Sequence, residues 1–495
     1  MDLPRISPAA AGISEEGIRG FLNGVAERGI ELHDLMLVRG GKVCYEASWY
    51  PYEKDRLHMI YSLSKAFTAI GVGFAVQEGH LFVEDTVYSF FQDELSAEIG
   101  ERAKRITVEH LLTMCTGQEE EPPILNYEFS GNWVEKFLEI EPEYEPGTHF
   151  FYDTTATYVL SAIVTKVTGE KLADYLRERF FEPLGIEDYY WDESPQGNSL
   201  GGIGFNVTIE TVAKLGVFLR QQGMWNGKQL LNRGWVERMT SNLVDSSGGE
   251  VYSDGNEWGV GYGYQIWQCI PKGVYRGDGA YGQFAVVAPQ QDLVIATLTG
   301  TEDMAGLMAE MWKHLLPACM DVEKEQFTDA GSKKEQFMIA FPEGDEAASD
   351  SEKRTERLRG ARGTYVLADN EEHLARVHID AGNKKDVIDI TCVFSDGTKR
   401  TLSYGYRSWE TNDLPGVRFS NYYTCADIRI VNTAGAYNWQ GSTLKLKLCY
   451  PHNPLGVTAE FEFLDGAVRI TAKKSRCMDR KMEYSFDGVF SCMKQ

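Results

Sequence analysis

The sequence predicts a mixed α/β (α+β) domain followed by an all-β, barrel-like domain. Three observations lead there. From residue 1 to about 325, helical and strand periodicities are mixed. Residues 326–360 are polar and charged with almost no apolar periodicity, and read as a linker. From 361 to 495 the pattern alternates with period two and is punctuated by hairpin turns.

The elements follow in order. "SEEGIRGFLNGVAERG" opens with Ser14 as an N-cap and acidic residues in the first turn. "LHDLMLVRGGKVCYEASW" reads as two strands around Gly40-Gly41. The spacing predicts helices at 62–78, 107–114, 155–168, 171–180, 208–222 and 302–315, and strands at 258–268, 281–288 and 292–299. In the C-terminal third, Asp396-Gly397 and Asp465-Gly466 are hairpin signals, and "STLKLKLCY" alternates strictly.

Composition narrows the function classes. A formal net charge of −24 argues against nucleic acid or an anionic membrane as partner. The cysteines at 44, 115, 269, 319, 392, 425, 449, 477 and 492 are odd in number, irregularly spaced and without C-x-x-C. That suits free thiols in a reducing compartment better than a disulfide framework or a zinc site. The N-terminus has no basic n-region or apolar h-region, and no stretch is long and apolar enough to span a bilayer, so the expectation is a soluble cytoplasmic protein.

One stretch stands out. "YSLSKAFTAIGVGFAVQEG" (61–79) is nearly all apolar, yet it carries Lys65 near its start. Lysine is rarely buried without a partner. Ser62 lies three residues earlier, and on a helix i and i+3 share a face. A helix start also supplies free N–H groups and a positive dipole end, both favourable to an oxyanion. A lysine in apolar surroundings has its ammonium disfavoured and becomes a usable base. The same S-x-x-K spacing at Ser442–Lys445 falls in a period-two strand, and at Ser491–Lys494 in the C-terminal tail. Only Ser62–Lys65 has helical, apolar support.

"LHMIYSLSKAFTA" resembles the first motif of the class C β-lactamase and penicillin-binding-protein superfamily of serine hydrolases. That superfamily includes DD-peptidases, esterases and an amidase branch acting on aminohexanoate oligomers. The resemblance continues in order through "ITVEHLLTMCTG" (106–117), "EPGTHFFYDTTATYVLSAIVTKVTGEKLADYL" (145–176), "FFEPLGIEDYYW" (180–191), "GGIGFNVTIETVAKLGVFLRQQGMWNGKQLL" (201–231) and "GAYGQFAVVAPQQDLVIATL" (279–298). It implies an antiparallel sheet flanked by helices with a helical subdomain over 1–325. Ser62 is then the acylated nucleophile, Lys65 its proton partner and Tyr152 the second-motif tyrosine that shuttles the proton. The backbone N–H of Ala280 would join that of Ser62 in the oxyanion hole.

Two motif positions depart from the family. The usual Tyr-x-Asn reads Tyr152-Asp153-Thr154, which takes the amide away from Lys65 and the substrate. The third motif, usually Lys-Thr-Gly or His-x-Gly, reads Gly277-Asp278-Gly279, so the cationic position is Gly277. Arg276 is adjacent, but alternation points it to the opposite face unless a bulge intervenes. Losing that cation weakens the readings of a true β-lactamase or DD-peptidase and favours neutral esters or amides. Gly277, Gly279 and Gly282 suit close approach of a strand to a substrate, or else a bulge or tight turn.

"GNSLG" (197–201) satisfies the nucleophile-elbow pattern around Ser199, but its flanks lack the strand and helix the elbow needs. The resemblance places this glycine-rich loop near the active site. His58 and His149 read as structural, and the aromatics of "EWGVGYGYQIW" (257–267) as strand core, with Tyr262 or Tyr264 as a secondary choice for lining the pocket. The expectation is a serine hydrolase acting on a small-molecule ester, amide or peptide, with no metal or organic cofactor implied. A catalytically silent ligand sensor is the alternative from another class, and homo-oligomerisation is left open.

Overall fold

Ser14 caps the helix Glu15–Glu27 by accepting a hydrogen bond from Gly17 N, as its place before two glutamates predicts. The chain then makes the strands Leu32–Arg39 and Lys42–Tyr50 around the Gly40-Gly41 turn, where both glycines have positive φ (58° and 73°). In the computed structural model described here, residues 2–121, 131–247, 257–319, 331–370, 372–417, 430–475 and 483–491 are described. The chain divides between Phe337 and Met338 into two compact units.

The first unit is built on a seven-stranded sheet. Its order is Lys333–Met338, Lys42–Tyr50, Leu32–Arg39, Leu293–Thr299, Gln283–Ala288, Tyr275–Gly279 and Trp267–Gln268. From Lys42–Tyr50 to Trp267–Gln268, neighbours run antiparallel. The central strands Gln283–Ala288 and Leu293–Thr299 are buried at every position, so they read as continuous apolar runs. The helix Ile209–Arg220 packs on this sheet, and its Gly216 is needed there because a Cβ would lie 2.4 Å from Val294 Cγ1.

The helices Ser64–Gln77 and Thr154–Thr168 form the heart of the helical part. Every residue from Ser64 to Ala75 is buried, and so is every residue from Thr154 to Val164. A helix apolar on all sides belongs in an interior, and here the two pack on each other.

The expected strand at 258–268 is corrected to a looped segment, of which only Trp267–Gln268 is strand. Its glycines are the reason. Gly261 has φ 142°, and a Cβ at Gly263 would lie 2.2 Å from the carbonyl oxygen of Met239. Trp258, Tyr262, Tyr264 and Trp267 are nonetheless buried, and Gln265 pins the loop by donating to the carbonyls of Leu111 and Leu112.

The second unit is a ten-stranded sheet from Gly363–Leu367 to Glu483–Ser491. A further parallel pairing of Gly405–Tyr406 with Ala436–Tyr437 nearly closes it into a barrel. The two Asp-Gly hairpins fall where the sequence places them, between Val387–Phe394 and Lys399–Tyr406 and between Gly456–Leu464 and Ala467–Ser475.

Within the stretch expected as linker, Lys333–Met338 is a strand and Ser351–Ala361 a helix capped by Asp350. The helix escaped a periodicity reading because its buried side is carried by Arg354, whose guanidinium lies 3.9 Å from the Tyr406 ring centroid and bonds Asp386 at 2.8 Å. No helix among the described residues is long and apolar enough to cross a membrane. The six described cysteines are free, while Cys425, Cys477 and Cys492 lie outside the described residues.

Candidate active site

Ser62 sits in a single 3-10 turn, Tyr61–Leu63, that leads into the helix Ser64–Gln77. The turn is held tightly. Ile60 N donates to Phe205 O at 2.9 Å, and Ser64 Oγ donates to Tyr61 O at 2.5 Å. Tyr61 has φ +46°, a left-handed conformation that costs a non-glycine residue about 1–2 kcal/mol. Such strain is held at a position that the surroundings over-determine.

Lys65 is fully buried one turn further on, and its Nζ has three neighbours: Ser62 Oγ at 3.1 Å, Thr154 Oγ1 at 3.2 Å and Gly202 O at 3.1 Å. The Tyr152 ring centroid lies 4.8 Å from the same nitrogen. Burial pushes the Lys65 ammonium down to about 7, although the carboxyls of Glu121, Asp153 and Asp278 pull it back up. The neutral amine has two N–H groups and one lone pair. Gly202 O can only accept, so it keeps one N–H, and the lone pair is open to the Ser62 proton.

Tyr152 closes the aromatic side. Its ring packs against Trp267 (centroids 5.3 Å apart) and edge-on to Tyr262 (6.3 Å). Tyr262 therefore adjoins the site, whereas Tyr264 turns away to bond Arg238 and Glu109. Asp153 caps the helix Thr154–Thr168 by accepting from Thr155 N at 2.7 Å, and burial pushes its carboxyl up to about 8.

The strand Tyr275–Gly279 pairs with Gln283–Ala288 in unbroken register, so no bulge turns Arg276 toward the serine. Arg276 is fully buried: its Nε bonds Asp278 Oδ2 at 2.8 Å, its Nη1 reaches Gln268 O at 3.1 Å, Trp258 lies over it at 5.2 Å, and its Nη2 has no hydrogen-bond partner among the described residues. Asp278 Oδ2 also accepts from Trp258 Nε1 at 2.9 Å.

On the opposite face, Gly277 and Gly279 let this strand dock on the serine's own turn rather than on open pocket. A Cβ at Gly277 would lie 2.4 Å from Leu63 Cδ1, and one at Gly279 would lie 2.1 Å from Ile60 O. Ala280 opens the following hairpin, and its carbonyl accepts from Gln283 Nε2 at 3.0 Å. Gly282 (φ 87°) and Tyr281 (φ 66°) complete the turn, and Tyr281 meets Tyr61 edge-on at 5.4 Å.

The competing motifs resolve as structure. Ser199 is buried and its hydroxyl accepts from Ala173 N at 3.3 Å, while its loop brings the neighbouring Gly202 carbonyl to Lys65. A Cβ at Gly202 would lie 2.7 Å from Thr154 Cγ2, which is why that position is glycine. His58 is buried against His33, with ring nitrogens 3.1 Å apart, and His149 stacks on Tyr144 at 4.1 Å. Lys445 pairs with Glu460 at 3.3 Å, and Lys494 lies outside the described residues.

Sequence reasoning missed Glu121 and Gly202. Glu121 ends the run "QEEE", and its Oε1 accepts from Thr154 N at 2.8 Å beside Lys65.

With this geometry in place, comparison with known proteins defines the class. The family model described as Beta-lactamase matches residues 19–319, more than half of the chain, and the chain belongs to that family. It is similar to Penicillin-binding protein 4* of Bacillus subtilis (strain 168), 24% identical over 175 residues. That match spans 31% of this chain and about a third (36%) of the relative's length. It is also similar to the 6-aminohexanoate-dimer hydrolase of Paenarthrobacter ureafaciens, 23% identical over 292 residues, 54% of this chain and 72% of the relative. Among solved structures it resembles EstCE1, described as a hydrolase with promiscuous acyltransferase activity. There the identity is 18% and the TM-score 0.50, with 62% of this chain and 99% of that chain covered. At that identity the likeness speaks for the fold alone.

Proposed function

We propose that the chain is a serine hydrolase that cleaves a small, uncharged ester or amide through an acyl-enzyme on Ser62. The observation that carries this is the buried Lys65 amine 3.1 Å from Ser62 Oγ, held near neutrality by burial. In this mechanism Lys65, assisted by Tyr152, takes the Ser62 proton as Oγ attacks the carbonyl carbon. The oxyanion is received by the backbone N–H groups of Ser62 and Ala280. Tyr152 passes a proton to the leaving group, and water then releases the acid.

Substrate charge follows from the strand beside the serine. Gly277 offers no cation and Arg276 is spent on Asp278, so a carboxylate-bearing peptide or opened β-lactam finds no clamp there. The name of the 6-aminohexanoate-dimer hydrolase supports an amide within the substrate range of this family.

The test is turnover of a p-nitrophenyl ester series by the wild-type protein and Ser62→Ala. The wild type is expected to be faster by at least about a thousandfold, the scale on which losing a covalent nucleophile is felt. Its kcat/KM should climb through about pH 7 as Lys65 loses its proton. Equal turnover by the two proteins would refute the nucleophile assignment.

A further inference from the structure

Two buried histidines meet next to the serine's turn, and the mechanism uses neither. His33 lies on Leu32–Arg39, a strand inside the first unit's sheet. His58 lies on the short strand His58–Met59, which leads through Ile60 into the turn carrying Ser62. The two residues are 0% and 2% exposed. His58 Nδ1 lies 2.9 Å from Met59 O, and His58 Nε2 lies 3.1 Å from His33 Nδ1. His33 Nε2 in turn lies 3.3 Å from Glu31 Oε1. Two titratable groups meet the pair: Glu31 at its outer end, and Tyr52, whose ring stacks on His33 with centroids 3.5 Å apart.

These three links fix how many protons the chain holds. A carbonyl oxygen can only accept, so His58 Nδ1 carries a proton. Two ring nitrogens 3.1 Å apart need one proton between them, whichever ring it is drawn on. The link from His33 Nε2 to the Glu31 carboxylate needs one as well, because a bare nitrogen would set its lone pair against a carboxylate oxygen. That makes three protons, one more than two neutral imidazoles have. An unperturbed imidazole holds a proton about a hundredfold more tightly than an unperturbed carboxylate, so all three stay on the rings. Glu31 supplies the balancing negative charge, and the chain as a whole is neutral, which is how two polar rings stay buried.

We propose that His33 and His58 are positioning residues for the nucleophile, two buried rings that share one extra proton and tie the Ser62 turn to the sheet. This rests on the serine-hydrolase reading and deepens it. The tie is short in both directions. Past His58, only Met59 separates it from Ile60, whose N–H is held by Phe205 O and whose carbonyl accepts from Leu63 N across the turn at 3.1 Å. Before His33, only Leu32 separates it from Glu31, whose carbonyl accepts from Gly300 N at 2.9 Å. The next residue, Thr301, donates its N–H to Tyr281 O at 3.2 Å in the hairpin that Ala280 opens. The pair therefore joins the segment bearing Ser62 to the one bearing Ala280, which the mechanism needs in register.

The experiment takes two readouts on the full chain. Solid-state 15N NMR of protein labelled with 15N-histidine at pH 7.5 counts protonated ring nitrogens. Magnetisation transfer between two rings whose nitrogens are 3.1 Å apart picks out the pair in the wild type, so this readout needs no variant to fold. Three protonated nitrogens among the four are expected in the wild type, and two in Glu31→Gln, whose amide can itself donate to His33 Nε2. Turnover of p-nitrophenyl acetate is the second readout. His58→Phe is expected to lower kcat about 10–100-fold with KM changed less than about threefold, the scale of a reacting atom misplaced by about 1 Å. His58→Gln, which can still accept from His33 Nδ1, is expected to recover most of that loss. A merely structural role would leave the proton count at two. Two protonated nitrogens in the wild type, equal counts in wild type and Glu31→Gln, unchanged kcat in His58→Phe, or equal kcat for His58→Phe and His58→Gln would each overturn the proposal while Ser62 stays the nucleophile. A wild type that neither turns over nor labels with a fluorophosphonate would overturn the serine-hydrolase reading and the positioning role with it.

Discussion

Lys65→Met is expected to abolish ester turnover and at the same time make the protein more stable at neutral pH. The folded protein holds Lys65 at about 7 against an ordinary 10.5, because burial disfavours the ammonium. Between those two pH values the unfolded chain binds the extra proton, so unfolding free energy rises with pH across that window. The penalty is absent above about 10.5, grows as pH falls, and is complete below about 7. Its full size is about 4–5 kcal/mol, since each tenfold change in proton affinity is worth about 1.4 kcal/mol. Methionine fills the space without a charge but cannot donate to Gly202 O or Thr154 Oγ1, which returns about 1–3 kcal/mol. A net gain of about 1–4 kcal/mol in urea denaturation at pH 6 is therefore expected, shrinking and then reversing toward pH 10. A variant less stable than wild type at pH 6 would contradict the buried, destabilising lysine.

Gly279→Ala is expected to do the opposite, damaging both fold and activity. The new Cβ would lie 2.1 Å from Ile60 O and 3.1 Å from Leu63 N, so a backbone segment has to move. Overpacking of this kind costs about 1–3 kcal/mol or more. The segment that must yield is the turn carrying Ser62, and misplacing a reacting atom by about 1 Å can cost about a hundredfold in rate. Gly360→Ala is the control. Gly360 lies in the helix Ser351–Ala361 with open space where its Cβ would go, so there the change is neutral or stabilising by up to about 1 kcal/mol. Comparable Tm and activity for Gly279→Ala and wild type would show that the strand is not seated on the serine's turn.

Much of the architecture was legible because local signals and tertiary demands agree. Ser14 before two glutamates caps a helix, Gly40-Gly41 and the Asp-Gly pairs turn hairpins, and a helix apolar on every face is buried on every face. Lys65 was legible for the reverse reason: a lysine in that run conflicts with burial unless it has partners. What escaped was carried by unusual residues. The helix Ser351–Ala361 buries an arginine, and residues 258–266 bury aromatics on a glycine-broken loop rather than a strand. Glu121 could not be read at all, since its place beside the site depends on Thr154, thirty-three positions away, bringing a backbone N–H to it. The glycines at 277 and 279 suit close approach of a strand to a substrate, or else a bulge or tight turn, and sequence alone does not show that the backbone they bring near is that of Ile60 and Leu63.

The central claim is that Ser62 is a nucleophile activated by Lys65. Mass spectrometry of the intact protein after exposure to a fluorophosphonate, followed by peptide mapping, tests it most directly. One adduct per chain, located on Ser62 and lost in Lys65→Met, is the result this account predicts. An adduct on any other residue, or none at a concentration that labels a control serine hydrolase, would contradict it.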